Sequence, residues 1–113
     1  MRKITVAETK TFRAKARKLL SEDETTAIID TISANPECGD LIRGTGGVRK
    51  VRFAIAGSGK SGGVRVIYYF FNETVPVYLL TLFAKNEKET LGKDERNELR
   101  VLTARLAKLW RSK

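Results

Sequence analysis

The stretch from Gly44 to Phe71, GTGGVRKVRFAIAGSGKSGGVRVIYYFF, constrains the fold more than any other part of the chain. It holds two apolar, β-branched runs, Val48 to Ile55 and Val64 to Phe71, separated by a loop of Gly, Ser and Lys. Runs of this kind with turn residues between them predict an antiparallel hairpin with a long connection. In the first run Lys50 and Arg52 alternate with Val51, Phe53 and Ile55, so one face of that strand is cationic and the other belongs to a core. The second run is apolar on both sides apart from Arg65 at its entrance, which predicts a central strand. From Leu41 to Asn72 there is no Asp or Glu, while Arg43, Arg49, Lys50, Arg52, Lys60 and Arg65 are all cationic. Like charges on neighbouring strands repel, and are tolerated when solvated or when an anion bridges them. A polyanion is the expected partner.

The whole chain shares this bias. Its 22 Lys and Arg against 13 Asp and Glu leave a net charge of +9, which favours nucleic acid, an acidic protein or an anionic membrane surface. A length of 113 residues predicts one domain over residues 1–113, and 42% apolar residues suffice for a modest core. No apolar run approaches the ~20 residues that span a bilayer. The opening MRKITVAETK has no apolar signal core, so a cytoplasmic protein is expected. Cys38 is the only cysteine, which excludes an internal disulfide and fits a reducing compartment. There is no histidine. Ribonuclease-type imidazole pairs, Ser-His-Asp triads and His/Cys zinc sites are therefore excluded, and Cys38 lacks a base to activate it. No carboxylate pair falls at predicted strand ends where a two-metal nuclease needs one. No metal or cofactor is expected, and any catalysis must run on Lys, Arg, Tyr or Glu.

Around the hairpin, Ile4 to Val6 predicts a short strand. Thr11 to Leu20 predicts a helix with Phe12, Ala16, Leu19 and Leu20 on one side. Its Arg13, Lys15, Arg17 and Lys18 read either as a solvated face or as one that contacts phosphate or a partner. Ser21-Glu22-Asp23-Glu24 is a capping box, opening a second helix that buries Ile28, Ile29 and Ile32 and stops at Asn35-Pro36. So tight a connection makes the two an antiparallel helical hairpin packed on one face of a sheet. Pro36 to Gly47 reads as loop and Pro76 to Lys85 as a third strand. Asp94 to Trp110 reads as a final helix, with Gly92 as its N-cap and an apolar stripe of Leu99, Leu102, Leu106 and Leu109. The expected class is α+β: a small twisted antiparallel sheet, the N-terminal helical hairpin on one face, and a C-terminal helix.

Ala54 to Ser61, AIAGSGKS, matches a loose phosphate-binding P-loop with Ala in place of the first Gly. That motif needs a helix after its Lys-Ser, whereas Gly62-Gly63 and a β-branched run follow here. A loop carrying Lys60 over an RNA-binding face is the better account, with a plain long hairpin turn as the alternative.

The combined run of Asn35-Pro36, Gly39-Asp40, Gly44-Thr45-Gly46-Gly47, Arg49-Lys50, GKSGG and Arg65-Val66-Ile67-Tyr68-Tyr69 resembles the RelE superfamily, and within it the HigB branch of bacterial toxin–antitoxin modules. Leu79-Leu80-Thr81, Lys85-Asn86-Glu87 and the final helix continue the match over nearly the full chain. The resemblance implies a small sheet whose cationic side enters the ribosomal A site. There it would cut mRNA without a metal, through attack of a ribose 2′-OH on the adjacent phosphate. It implies a cognate antitoxin with a helix-turn-helix domain, contact with DNA only through that antitoxin, and no membrane partner. By the same resemblance Arg65 and Lys85 sit where the family keeps catalytic cations. Lys50 and Arg52 align with its paired basic residues, as phosphate clamps or as ordinary RNA-affinity groups. Arg49, Arg43, Tyr68 and Lys88 are the expected RNA contacts. The family's Arg after the strand-ending lysine and its aromatic before the last helix are replaced by Asn86 and Gly92. Its acid–base pair does not carry over, and Tyr68, Lys60 and Lys88 are left as substitutes. The alternative function is a basic module that binds RNA or an antitoxin without catalysis.

Overall fold

The computed structural model describes residues 4–55, 63–85 and 91–111. In chain order its elements are β1 (Val6–Glu8), α1 (Lys10–Leu19), α2 (Glu22–Ala34), β2 (Asp40–Leu41), β3 (Val48–Phe53), β4 (Val64–Tyr69), β5 (Val77–Ala84) and α3 (Lys93–Arg111). The strands form one five-stranded sheet in the order β1-β5-β4-β3-β2. The apolar strand β4 is therefore central, paired antiparallel with β3 and β5.

The sheet departs from the expected antiparallel arrangement at one edge. Strand β1 runs parallel to β5, from Val6↔Val77 to Glu8↔Leu79, so the sheet is mixed. Three residues carry no periodicity that could reveal their direction, and β1 also begins two residues later than its sequence suggests. Strand β2, read as loop, forms through the pairs Asp40↔Lys50 and Leu41↔Arg49. Two residues have no pattern of their own, and pairing with β3 alone makes them a strand.

The helix starts follow side-chain chemistry. Ser21 Oγ accepts from Glu24 N at 3.1 Å while Glu24 Oε1 accepts from Ser21 N at 2.8 Å, the reciprocal box predicted for α2. Thr9 caps α1 by accepting from Phe12 N at 3.2 Å. The same hydroxyl lies 2.9 and 3.0 Å from the carbonyl oxygens of Leu79 and Leu80. Those carbonyls sit at a β-bulge, where the register passes from Ile67↔Thr81 to Tyr68↔Leu79 and leaves Leu80 as the extra residue. One side chain thus starts a helix and ties it to the irregular point of β5.

Each sheet face carries its own core. Phe12 and Ala16 of α1 and Ile28 and Ile32 of α2 pack on Val64, Val66, Tyr68, Leu79 and Leu82. On the opposite face Leu91, Leu99 and Leu106 pack on Val48, Ile67, Tyr69, Leu80 and Phe83. The leucine stripe of α3 is therefore split: Leu99 and Leu106 face the sheet, while Leu102 and Leu109 are 37% and 50% exposed.

A polar lock joins α3 to the turn between β2 and β3. Thr103 Oγ1 donates to Thr45 O at 2.8 Å, and Thr45 Oγ1 donates to Ile42 O at 2.6 Å and accepts from Val48 N at 3.1 Å. Both threonines are buried. Gly46 approaches this pair at φ 76°, and a Cβ there would come within 2.7 Å of Thr103 Oγ1. Replacing Thr103 by Val keeps the shape but leaves a buried carbonyl without its donor, a loss of about 1–3 kcal/mol. Urea unfolding should show that destabilisation for Thr103→Val, and less than half of it for Thr103→Ser, which keeps the hydroxyl.

Candidate nucleic-acid interface

Residues paired across neighbouring strands share a face, so the register decides which cations meet. Strands β3 and β4 align Val48↔Tyr69, Lys50↔Ile67 and Arg52↔Arg65, and all six residues lie on the face that carries α3. Helix α3 packs on the half around Val48, Tyr69 and Leu80. The Arg52–Arg65 row lies beyond it, toward the ends of the strands that lead into and out of the connecting loop. Arg52 is exposed, and Lys50 and Arg65 are half-buried. The two arginines face each other directly, so their repulsion is built into the strand pairing.

Arg65 has an apolar neighbour on its other side, the buried Phe83, its partner in β5. Its Nε is buried and has no hydrogen-bond partner among the described residues. The same holds for Thr81 Oγ1. Thr81 pairs with Ile67, so it is the diagonal neighbour of Arg65 on this face. Leaving such a buried donor unmet costs about 1–3 kcal/mol, a cost that an anionic oxygen would remove. Lys85 follows β5 at the same end, its amide donating to Gly63 O at 3.0 Å. Asp40, just outside the acid-free stretch, pairs in register with Lys50 and places a carboxylate beside it. That tempers the charge at Lys50 and leaves Arg52 and Arg65 as the stronger anion-attracting pair.

Two of the expected RNA contacts are elsewhere. Arg49 pairs with Tyr68, and both face the helical hairpin. Tyr68 is fully buried: its hydroxyl accepts from Gly39 N at 2.8 Å, donates to Pro36 O at 2.7 Å and stands 3.7 Å from Cys38 Sγ. Arg49 donates to Gly39 O at 2.8 Å and pairs with the Glu37 carboxylate at 3.7 Å. These side chains pin residues 36–39 against the sheet, away from the face of Arg52 and Arg65, whereas Arg49 and Tyr68 were expected as RNA contacts. The signal was present: Arg49 has the same strand parity as Val51 and Phe53. Tyr69 shares the face of Arg65 but is buried beneath α3. Lys60, Lys88 and Asn86 lie outside the described residues.

Arg43 is exposed in the turn after β2, where it shares a cleft with Lys93, Arg96 and Asn97. Sequence reasoning passed over Lys93 and Arg96, whose only signal is their helical spacing on α3. Among the described residues no three His, Cys, Asp or Glu side chains cluster as a metal site would need, and no helix is long and apolar enough to cross a membrane.

The fold is α+β, and one end of its sheet presents two facing arginines. Residues 4–113 match the family model described as the RelE toxin of the RelE / RelB toxin–antitoxin system, and the chain belongs to that family of toxins. The fold is similar to that of a mutant of E. coli toxin RelE solved in the free state. The TM-score is 0.53 at 20% identity, over 73% of this chain and 82% of that one.

Burial pushes the Tyr68 hydroxyl pKa far up, against a smaller lowering by the Gly39 N–H; burial also raises that of Tyr69. Tyr68 therefore stays protonated in the fold at pH values where a free phenol near 10 ionises. Below about pH 10 it is neutral in both states; above that the unfolded chain ionises first, and the stability it supplies is lost as pH rises. Tyr68→Phe should cost about 1–3 kcal/mol at neutral pH. Urea unfolding between about pH 8 and 11 should show that cost shrinking at the alkaline end.

Proposed function

We propose that this chain is a ribosome-dependent mRNA endonuclease of the HigB-like branch, cutting without a metal and thereby inhibiting translation. The observation that carries the reading is the cross-strand Arg52–Arg65 pair, with Arg65 Nε and the diagonal Thr81 hydroxyl both buried and without hydrogen-bond partners among the described residues. In the reaction the ribose 2′-oxygen bonds to the adjacent phosphorus and the bond to the 5′-oxygen breaks. The 2′-OH proton leaves to a base, and the departing 5′-oxygen gains one. Without histidine, the barrier falls mainly by holding the 2′-OH in line and by stabilising the phosphorane charge with preorganised cations. Arg65 is the main stabiliser of that charge, held in orientation by its apolar neighbour Phe83. Lys50 and Arg52 clamp the phosphate oxygens. Lys85 adds charge at the same sheet end, and Lys60 and Lys88 are the remaining cations of the proposed set.

The partners are the ribosome and its mRNA, and a cognate helix-turn-helix antitoxin through which alone the complex meets DNA. The compartment is the cytoplasm, with no role at a membrane. The burial of Tyr68 removes one candidate for proton transfer and favours a second reading, in which the cationic face binds RNA or the antitoxin without cleaving.

Removing a preorganised charge from such a centre lowers the rate about 100-fold or more. Arg65→Ala should therefore abolish growth arrest on expression and the new 5′ ends in ribosome-bound mRNA, with its unfolding midpoint kept. Full toxicity of that variant would remove Arg65 from the chemistry. Salt-sensitive RNA binding by the unsubstituted chain with no new 5′ ends would establish the second reading instead.

A further inference from the structure

The turn between β2 and β3 delivers Arg43 to the first turns of α3. Arg43, Gly44, Lys93, Arg96 and Asn97 line one open cleft of about 290 Å³ there, with three cations and no carboxylate in its wall among the described residues. Glu95, in the same helical turn, is directed elsewhere: its Oε1 accepts from Gly92 N at 2.9 Å, and it lines a separate groove with Leu80 and Leu91. The cations are held together by a rigid support. The Thr45–Thr103 lock fastens the turn to α3, and Gly44 and Gly46 hold φ values of 81° and 76°. A Cβ on Gly44 would meet nothing within 4 Å, so the cleft is open on that side. Like charges fixed together in this way gain most when an anion sits among them.

The position of the cleft suggests which anion. Helix α3 packs on the same sheet face as Lys50, Arg52 and Arg65, and Leu91, just before it, packs in one cluster with Phe83, the strand partner of Arg65. Arg43 follows β2, whose Asp40 pairs with Lys50. The cleft therefore borders the cationic face on its β2–β3 side. From Arg52 to Val48 along β3 is roughly 13 Å, too far for one phosphate to bridge and within reach of neighbouring nucleotides on one strand.

We infer that the Arg43–Lys93–Arg96 cleft is a second phosphate subsite, which grips the backbone of single-stranded RNA a few nucleotides from the bond placed at Arg65. This rests on the proposed function and adds to it where the substrate strand runs. Asn97 supplies an amide that can donate to a phosphate oxygen or accept from a ribose 2′-OH. The subsite holds the strand and does no chemistry, so its loss weakens binding and leaves turnover at saturation in place.

The test uses the full chain, a Lys93→Ala/Arg96→Ala variant, and a Lys10→Ala/Arg105→Ala control that removes the same charge from exposed positions outside the cleft. The probes are uncleavable 2′-O-methyl oligoribonucleotides of increasing length, titrated by fluorescence anisotropy over a range of salt. Each phosphate contact on a single strand contributes about 0.7 to the slope of log K against log salt. The cleft variant should lose roughly that much slope or up to twice as much, along with the affinity that longer oligonucleotides gain over short ones. The control should keep both. On ribosome-bound message the cleft variant should raise KM about ten-fold with kcat within about two-fold. Unchanged slope and length dependence in the cleft variant, or an equal loss in the control, would overturn the subsite while leaving the Arg65 centre standing. Failure of the unsubstituted chain to bind the oligonucleotides would overturn the subsite, and its failure to cut ribosome-bound message would overturn the proposed function.

Discussion

The register between β3 and β4 is the constraint on which the rest of the structure depends. A slip of one residue would turn Lys50 and Arg52 into the helical core and put Val51 and Phe53 in water. What holds the register is a close approach that only glycine allows. A Cβ on Gly39 would lie 2.7 Å from Lys50 O and 2.9 Å from Tyr68 Cε1. The Tyr68 hydroxyl takes the Gly39 N–H, and Arg49 takes the Gly39 carbonyl. One loop is thereby bonded to adjacent strands, and the buried face is stitched in the phase that leaves the cations on the other side.

That arrangement separates structural duties from functional ones. The face beneath α1 and α2 is largely apolar, and its Tyr68 hydroxyl and Arg49–Glu37 pair are matched, although Arg49 Nε is buried with no hydrogen-bond partner among the described residues. The opposite face is divided. Where α3 covers it, Ile67, Tyr69, Leu80 and Phe83 form a second core. Beyond α3 lie facing arginines and, among the described residues, two buried donors without partners, an arrangement that lowers stability and is tolerable because both cores flank it. A site that spends stability in this way gains most from a ligand carrying negative charge on several oxygens.

The likeness to E. coli RelE, at 20% identity, shows how little of the sequence this fold needs to keep. In this chain it rests on the phase of the strands, a glycine at the close approach and apolar faces on both sides of the sheet. The strand ends of this chain carry Arg52 and Arg65, and it has no histidine at all.

Much was legible in the residues alone. The acid-free hairpin, the centrality of β4, the capping box of α2 and the grouping of Lys50 with Arg52 follow from alternation, burial and local hydrogen bonding, which act over a few neighbouring residues. Strand parity could also have set Arg49 apart from Lys50. Other features were beyond the sequence because they arise between segments far apart in the chain. The direction of β1, the strand formed by Asp40 and Leu41, the arrival of Asp40 beside Lys50 and the meeting of Arg43 with Lys93 and Arg96 each depend on a long-range contact. Local chemistry determined which face would be charged; tertiary packing decided which charges would meet, because register and helix docking are set by buried surfaces that no single segment contains.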